Sequence, residues 1–235
     1  MKKQLCSLLT ALALAVGLLP SAARAAENAP SFADVPAAAW YADAVQYVYE
    51  NGLMTGVSES EFAPDGTATR GQIVTILWRL AGSPVVNYAM RYADADEGAW
   101  YGEAVRWAAS TGVVTGYSES SFGPNDAITR EQLAAILYRY IKTQGQGFTG
   151  MWYFPLRYDD AASISSWADE AMHWCVMKGV LNGTGETTLN PQLTATRAQL
   201  AAILRRFCEL PKETVSGSTA QTAYDRASAY LTAAV

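Results

Sequence analysis

Three arginines hold the same place in a recurring pattern. Arg70, Arg130 and Arg197 each follow a threonine, and Gln72, Gln132 and Gln199 stand three residues beyond Thr69, Thr129 and Thr196. Thr-x-x-Gln reads as a capping box, so each arginine falls at the first position of a helix. A cation beside the positive end of a helix costs roughly 0.3–1 kcal/mol. Three repetitions of that placement ask for a reason. One is anion capture, because helix amides and a guanidinium together suit an acid group that arginine can hold bidentately. The other is an internal ion pair, with Asp34, Asp94 or Asp160 as the acid. Trp40, Trp100 and Trp167 recur as well; an indole either packs in a core or, partly exposed, offers a flat apolar face and an N–H donor. The three aspartates either accept hydrogen bonds from a ligand or serve a turn ahead of a helix.

The elements that must position these residues are three copies of one unit. Phe32-Ala33-Asp34 recurs as Tyr92-Ala93-Asp94 and Tyr158-Asp159-Asp160. Gly52, Gly56, Phe62 and Pro64 recur as Gly112, Gly116, Phe122 and Pro124, then as Gly179, Gly183, Leu189 and Pro191. The first offset is 60 throughout; the second is 66 at the aspartate and 67 from the tryptophan onward, so the third copy gains one residue between them. Each copy reads as helix, loop, helix. The first helix carries an apolar face that starts at the tryptophan (Trp40, Ala44, Val45 and Val48 in copy one). Gly52, Gly112 and Gly179 suit a left-handed cap just past it, and the spacing to Gly56, Gly116 and Gly183 is turn chemistry. The second helix carries Ile73, Ile76, Leu77 and Leu80, or their equivalents. Two short helices cannot bury both faces alone, so the three units must pack together. The expected fold is all-α: three helix-loop-helix repeats with long loops, closing around a pseudo-threefold axis, with an open stack as the alternative.

Composition removes other readings. The 235 residues carry a net charge of −5, are 50% hydrophobic and include one histidine and three cysteines. Disorder, nucleic-acid binding by gross charge and a histidine-based metal or catalytic centre are thereby disfavoured. His173 and Cys175 lie two apart on a helix and face different ways. Asp94 to Gly98 lacks the full ligand pattern of a calcium loop. No catalytic residue, metal or cofactor is expected. Lys2 and Lys3, the apolar run Leu8 to Leu19 and Ala23-Arg24-Ala25 read as a secretory signal over residues 1–25. Cleavage there would leave 14 basic against 22 acidic residues, a net charge of −8, and no membrane anchor. Cys175 and Cys208 sit on apolar helix faces, where a buried thiol is commoner than a bridge.

The runs ending in Thr69-Arg70-Gly71-Gln72, Thr129-Arg130-Glu131-Gln132 and Thr196-Arg197-Ala198-Gln199 resemble S-layer homology repeats, over about residues 31–210. The organisation expected is a short segment 26–30, repeats at 31–84, 91–145 and 157–210, and a tail 211–235 with a short helix at 219–235. The resemblance implies a secreted, three-pronged helical module at the bacterial cell wall. It would bind the secondary polysaccharide linked to peptidoglycan, often a pyruvylated amino sugar, in grooves between repeats. The implied contacts are the three arginines, tryptophans and aspartates, with Gly56, Gly116, Gly183 and Tyr117 in the loops. The family motif commonly ends in Glu where this chain has Gln72, Gln132 and Gln199, and its Gly-Tyr pair occurs only as Gly116-Tyr117. A second reading is a self-assembling structural subunit that contacts other surface-layer proteins; a third is a wall hydrolase. Under the adhesive reading, alanine at all three arginines abolishes wall binding and leaves helicity intact.

Overall fold

The computed structural model describes residues 32–150 and 154–211, so the signal expected over 1–25, segment 26–30 and the tail from 212 onward lie outside the described residues. The described chain is helical: α1 (Ala42–Glu50), α2 (Arg70–Leu80), α3 (Gly102–Thr111), α4 (Arg130–Thr143), α5 (Asp169–Met177) and α6 (Arg197–Cys208). Helices α2, α4 and α6 start as the sequence predicts. Thr69, Thr129 and Thr196 accept from the Gln72, Gln132 and Gln199 amides, and each glutamine side chain closes the box on the cap amide. Gly52, Gly112 and Gly179 all adopt φ near +70° (66°, 72° and 69°) past the first helix of each repeat, where L-residues are strained.

The second helix of each repeat packs on the first helix of the next: α2 on α3, α4 on α5, and α6 back on α1. An open stack would leave repeat three without a contact to repeat one; here the contacts run round a closed ring. At its centre the Ala68 amide donates to Ala195 (2.9 Å), Ala195 to Ile128 (2.9 Å) and Ile128 to Ala68 (3.0 Å). All three residues are buried, and this triangle satisfies backbone groups that no helix or sheet serves. The core forms around it from Ile73, Leu77, Leu133, Leu137, Leu200 and Leu204, with Val45, Val105 and Met172 from the first helices. Cys175 is buried and both described cysteines are free thiols.

Small departures from repetition carry testable consequences. The Gly116 amide donates to the Tyr92 hydroxyl (3.0 Å), and that of Gly183 to Tyr158 (3.1 Å). Phe32 holds the equivalent place beside Gly56 and has no hydroxyl. Phe32→Tyr should therefore raise stability by about 0.5–1.5 kcal/mol, read as a higher urea midpoint; an unchanged midpoint would mean the Gly56 amide lacks nothing. One left-handed position is Gly123 in repeat two, Asn190 in repeat three and Ala63 in repeat one, with φ of 69°, 50° and 56°. An L-residue there costs roughly 1–2 kcal/mol, partly offset by the unfolded-state freedom of glycine. Ala63→Gly is expected to stabilise by about 0.5–1 kcal/mol on that balance, and a lower melting temperature would contradict it.

Candidate functional site

Each second helix begins in a position that the ring dictates. The amides of Arg70 and Gly71 donate to Asp126 and Pro124 of the next repeat; those of Arg130 and Glu131 donate to Leu193 and Pro191, and those of Arg197 and Ala198 to Gly66 and Pro64. With the glutamine amide held by the cap, the first three N–H groups are all spent. The helix end therefore supplies no free amides to an anion, and that part of the sequence expectation is corrected: ring closure uses them.

The guanidinium groups are another matter. Arg70, Arg130 and Arg197 are only 4, 3 and 7% exposed. Each reaches into the loop of the following repeat and donates to two backbone carbonyls. Arg70 Nε bonds Phe122 O (2.9 Å) and its Nη2 bonds Thr115 O (3.0 Å). Arg130 does the same with Leu189 O and Asn182 O (2.9 and 2.5 Å), and Arg197 with Phe62 O and Thr55 O (2.8 and 2.7 Å). The ion pairs among the described residues involve none of the three. The internal ion-pair reading is thus overturned: carbonyl dipoles, not carboxylates, receive these cations. Burial pushes all three below the usual arginine value, Arg130 to about 10, which still leaves them charged at neutral pH.

The aspartates serve their own repeats. Asp34 accepts from the Phe62 and Ala63 amides (2.9 and 2.7 Å), Asp94 from Phe122 and Gly123, and Asp160 from Leu189 and Asn190. They stand outside the groove linings, so their place is the loop clamp rather than the ligand surface. Burial raises Asp34 and Asp94, but the amide hydrogen bonds outweigh it; at Asp160 the amides dominate outright, and all three end below the ordinary carboxyl value. A depressed carboxyl stabilises the fold above its unfolded value of about 3.9 and loses that contribution as pH falls through the folded value. Urea midpoints should therefore hold steady down to about pH 4 and drop below it; a drop already centred near neutral pH would contradict this.

The first helices start later than the sequence reading has them. Each first helix begins two residues after the tryptophan, which sits in the preceding turn with its ring edge-on to Tyr41 in repeat one and to Tyr101 in repeat two. Trp40, Trp100 and Trp167 are 66, 59 and 54% exposed, so the core-packing alternative is excluded for them. Each leans into a groove made by two other repeats. Groove one joins Trp100, Arg197, Gly56, Val57, Gln72 and Arg79. Groove two joins Trp167, Arg70, Gly116, Tyr117, Gln132 and Arg139. Groove three joins Trp40, Arg130, Gly183, Thr184, Gln199 and Arg206. Their volumes are about 380, 360 and 440 Å³, within the roughly 300–1,000 Å³ usual for small-ligand sites. Every groove thus combines a buried guanidinium, an exposed indole, an amide side chain and a glycine backbone.

The family description that matches this arrangement is the S-layer homology domain, over residues 31–74, 91–134 and 157–201, more than half of the chain. The chain belongs to the S-layer homology domain family. It is 30% identical over 173 residues to the surface-layer 125 kDa protein of Lysinibacillus sphaericus, which covers 71% of this chain and 14% of that protein. It is 29% identical over 210 residues to an endoglucanase of Bacillus sp. (strain KSM-635), covering 86% of this chain and 22% of the relative. It is 28% identical over 176 residues to an amylopullulanase of Thermoanaerobacterium thermosulfurigenes, covering 72% of this chain and 9% of the relative. The chain therefore spans less than a quarter of the length of these curated relatives.

Two features of these S-layer homology repeats escaped the sequence reading. Arg79, Arg139 and Arg206 line the three grooves, nine residues after each buried arginine. Their signal was the same threefold recurrence, passed over when only the apolar stripe of the helix was followed. Arg139 and Arg206 lie close enough to Arg70 and Arg130 to disfavour their charge. The other feature is Glu131, buried in α4, where repeats one and three have Gly71 and Ala198. It accepts from the Ser165 amide and hydroxyl (3.0 and 2.9 Å), two residues before Trp167, while Gln192 donates to Ser163 O. These contacts hold the segment ahead of Trp167, where repeat three is one residue longer. The acidic run in repeat two has ordinary local roles: Asp96 accepts from the Gly98 amide and Glu97 pairs with Arg106 at 2.8 Å.

Proposed function

We propose that this chain is a non-catalytic attachment module that holds its bearer to the bacterial cell wall by binding an acidic secondary polysaccharide in the three grooves. The observation that carries this reading is the set of three buried guanidinium groups with no carboxylate partner, each opening into a groove beside an exposed indole. A desolvated cation without a counter-ion gains from an incoming anion far more than a surface cation does. An acid substituent on a sugar, such as a pyruvyl ketal on an amino sugar, supplies that anion, and the indole offers a face for the ring. The net negative charge is no obstacle, because screening at physiological salt confines distant surface charge to about 8 Å. Three modest sites on one rigid body, meeting a repeating polymer, multiply through effective concentration.

The relatives support the same reading. A surface-layer protein, an endoglucanase and an amylopullulanase share this segment as a minor part of their length, so what they share is not any one named activity. A shared attachment segment would account for this. The test is sedimentation of the purified chain with bacterial wall sacculi before and after the secondary polymer is stripped. Pelleting that disappears on stripping is the expected result. Lattice formation without walls would replace this reading with the structural subunit, and release of sugars would replace it with a hydrolase.

A further inference from the structure

We propose that the three grooves are unequal, and that the groove of Trp40, Arg130, Thr184 and Arg206 is the primary acceptor of the ligand's acid group. The inference rests on the reading above and ranks the sites within it. The difference lies in what surrounds each buried guanidinium. Arg70 lies 4.3 Å from the ring centre of Tyr117 and 5.0 Å from that of Phe122. Arg197 lies 4.6 Å from the ring centre of Phe62. Around Arg130 the repeat pattern places Leu189 where the others have phenylalanine, and Thr184 where groove two has Tyr117. The cation–ring contacts among the described residues do not include Arg130.

A ring face compensates a desolvated cation before any ligand arrives. Arg70 has two such faces, Arg197 one and Arg130 none, although Arg130 is as deeply buried as Arg70. Arg206 adds like-charge repulsion at Arg130, as Arg139 does at Arg70, so the ring faces are what separate these two; the charge of Asp160 helps Arg130 only from a distance, since its oxygens are bonded to the Leu189 and Asn190 amides. An arriving acid therefore relieves more unfavourable energy at Arg130 than at either counterpart. This groove also has the largest volume of the three, about 440 Å³ against 380 and 360 Å³. Thr184 accepts from Asn190 Nδ2 and presents a small polar side chain, whereas Tyr117 lies over Arg70 in groove two. Trp40 is the most exposed of the three indoles.

The three indole N–H groups make a direct test, one per groove. In the uniformly ¹⁵N-labelled full chain, the Trp40, Trp100 and Trp167 indole resonances can be assigned by single Trp→Phe variants. They are then followed during titration with pyruvate at constant ionic strength. The expected result is a half-shift for Trp40 at a pyruvate concentration at least threefold below those for Trp100 and Trp167. Thr184→Tyr, which installs the side chain that groove two already accommodates, should raise the Trp40 midpoint at least threefold, and Tyr117→Thr should lower that of Trp167. Equal midpoints, or a Trp40 midpoint that Thr184→Tyr leaves in place, overturn the ranking while the grooves remain anion sites. If no indole moves, both the ranking and the acid-binding reading fall.

Discussion

The Arg130→Ala chain is expected to lose about 2–3 kcal/mol of folding stability together with its binding to bacterial walls, the stability loss being chiefly that of leaving the buried Leu189 carbonyl unpaired. Arg130 is a tie between repeats before it is a ligand contact. Its Nε and Nη2 join α4 to the Leu189 and Asn182 carbonyls of repeat three. Leu189 is buried, so its carbonyl has no ready replacement, while Asn182 is exposed and water can take over there. The same construction recurs at Arg70 and Arg197. Removing all three would approach the whole stability of an ordinary domain, roughly 5–15 kcal/mol. The triple alanine chain is accordingly expected to unfold, which revises the expectation that helicity survives it. Single variants are the informative ones. Arg130→Lys keeps the charge but replaces a planar fork with a point donor, so it should recover part of the stability and less of the binding. Urea titration beside wall sedimentation reads both, and an unchanged urea midpoint in Arg130→Ala would show that the cross-repeat bonds carry no weight.

Much of this architecture was legible because repetition multiplies weak signals. A single Thr-x-x-Gln is a modest helix-start cue; three at matching offsets, each followed by the same apolar spacing, located the starts of α2, α4 and α6 to the residue. Gly52, Gly112 and Gly179 were legible for the same reason, since a left-handed cap has few alternatives to glycine. The tryptophans were misplaced because periodicity alone cannot see that Tyr41, Tyr101 and Ala168, and not the residues before them, cap the first helices. With the helix starting two residues later, each indole stands outside the apolar stripe, and of the two readings open for it the exposed one holds. The partners of the arginines were illegible for a different reason. A buried guanidinium can be satisfied by carboxylates or by carbonyls, and only the first kind has a residue type to search for. Which carbonyls are available depends on how the loop of one repeat meets the helix of another, a property of the closed ring rather than of any segment. The aspartates illustrate the same limit: their targets are the amides of residues 62–63, 122–123 and 189–190, some 28 to 30 positions away.

Gly116→Ala should cost roughly 3 kcal/mol or more and silence groove two along with it, in line with overpacking of a close-packed site. A methyl group at this position would press on the Ser121 carbonyl, on Tyr92 Cε1 at 2.5 Å and on the Ser118 carbonyl at 2.7 Å. Neither carbonyl can yield cheaply. Ser121 O already accepts from the Tyr117 and Ser118 amides (2.8 and 3.3 Å), and the Tyr92 ring lies against Phe122 with centres 5.3 Å apart. The residue after Ser121 is Phe122, whose amide is held by Asp94 and whose carbonyl receives Arg70 Nε. Any outward shift of the loop therefore moves the acceptor that fixes the guanidinium, so a packing defect on one side of the loop becomes a misplaced cation in the groove. The Gly116 amide also loses its line to the Tyr92 hydroxyl. Tyr92→Phe separates the two effects: it removes that hydrogen bond, with a cost of about 1 kcal/mol, and leaves room for the loop, so Arg70 should stay in place. Thermal unfolding gives the stability difference, and the Trp167 indole resonance under pyruvate titration gives the groove. A Gly116→Ala chain that melts with the unmodified protein and still shifts its Trp167 signal would show that the loop can retreat without carrying Arg70 along.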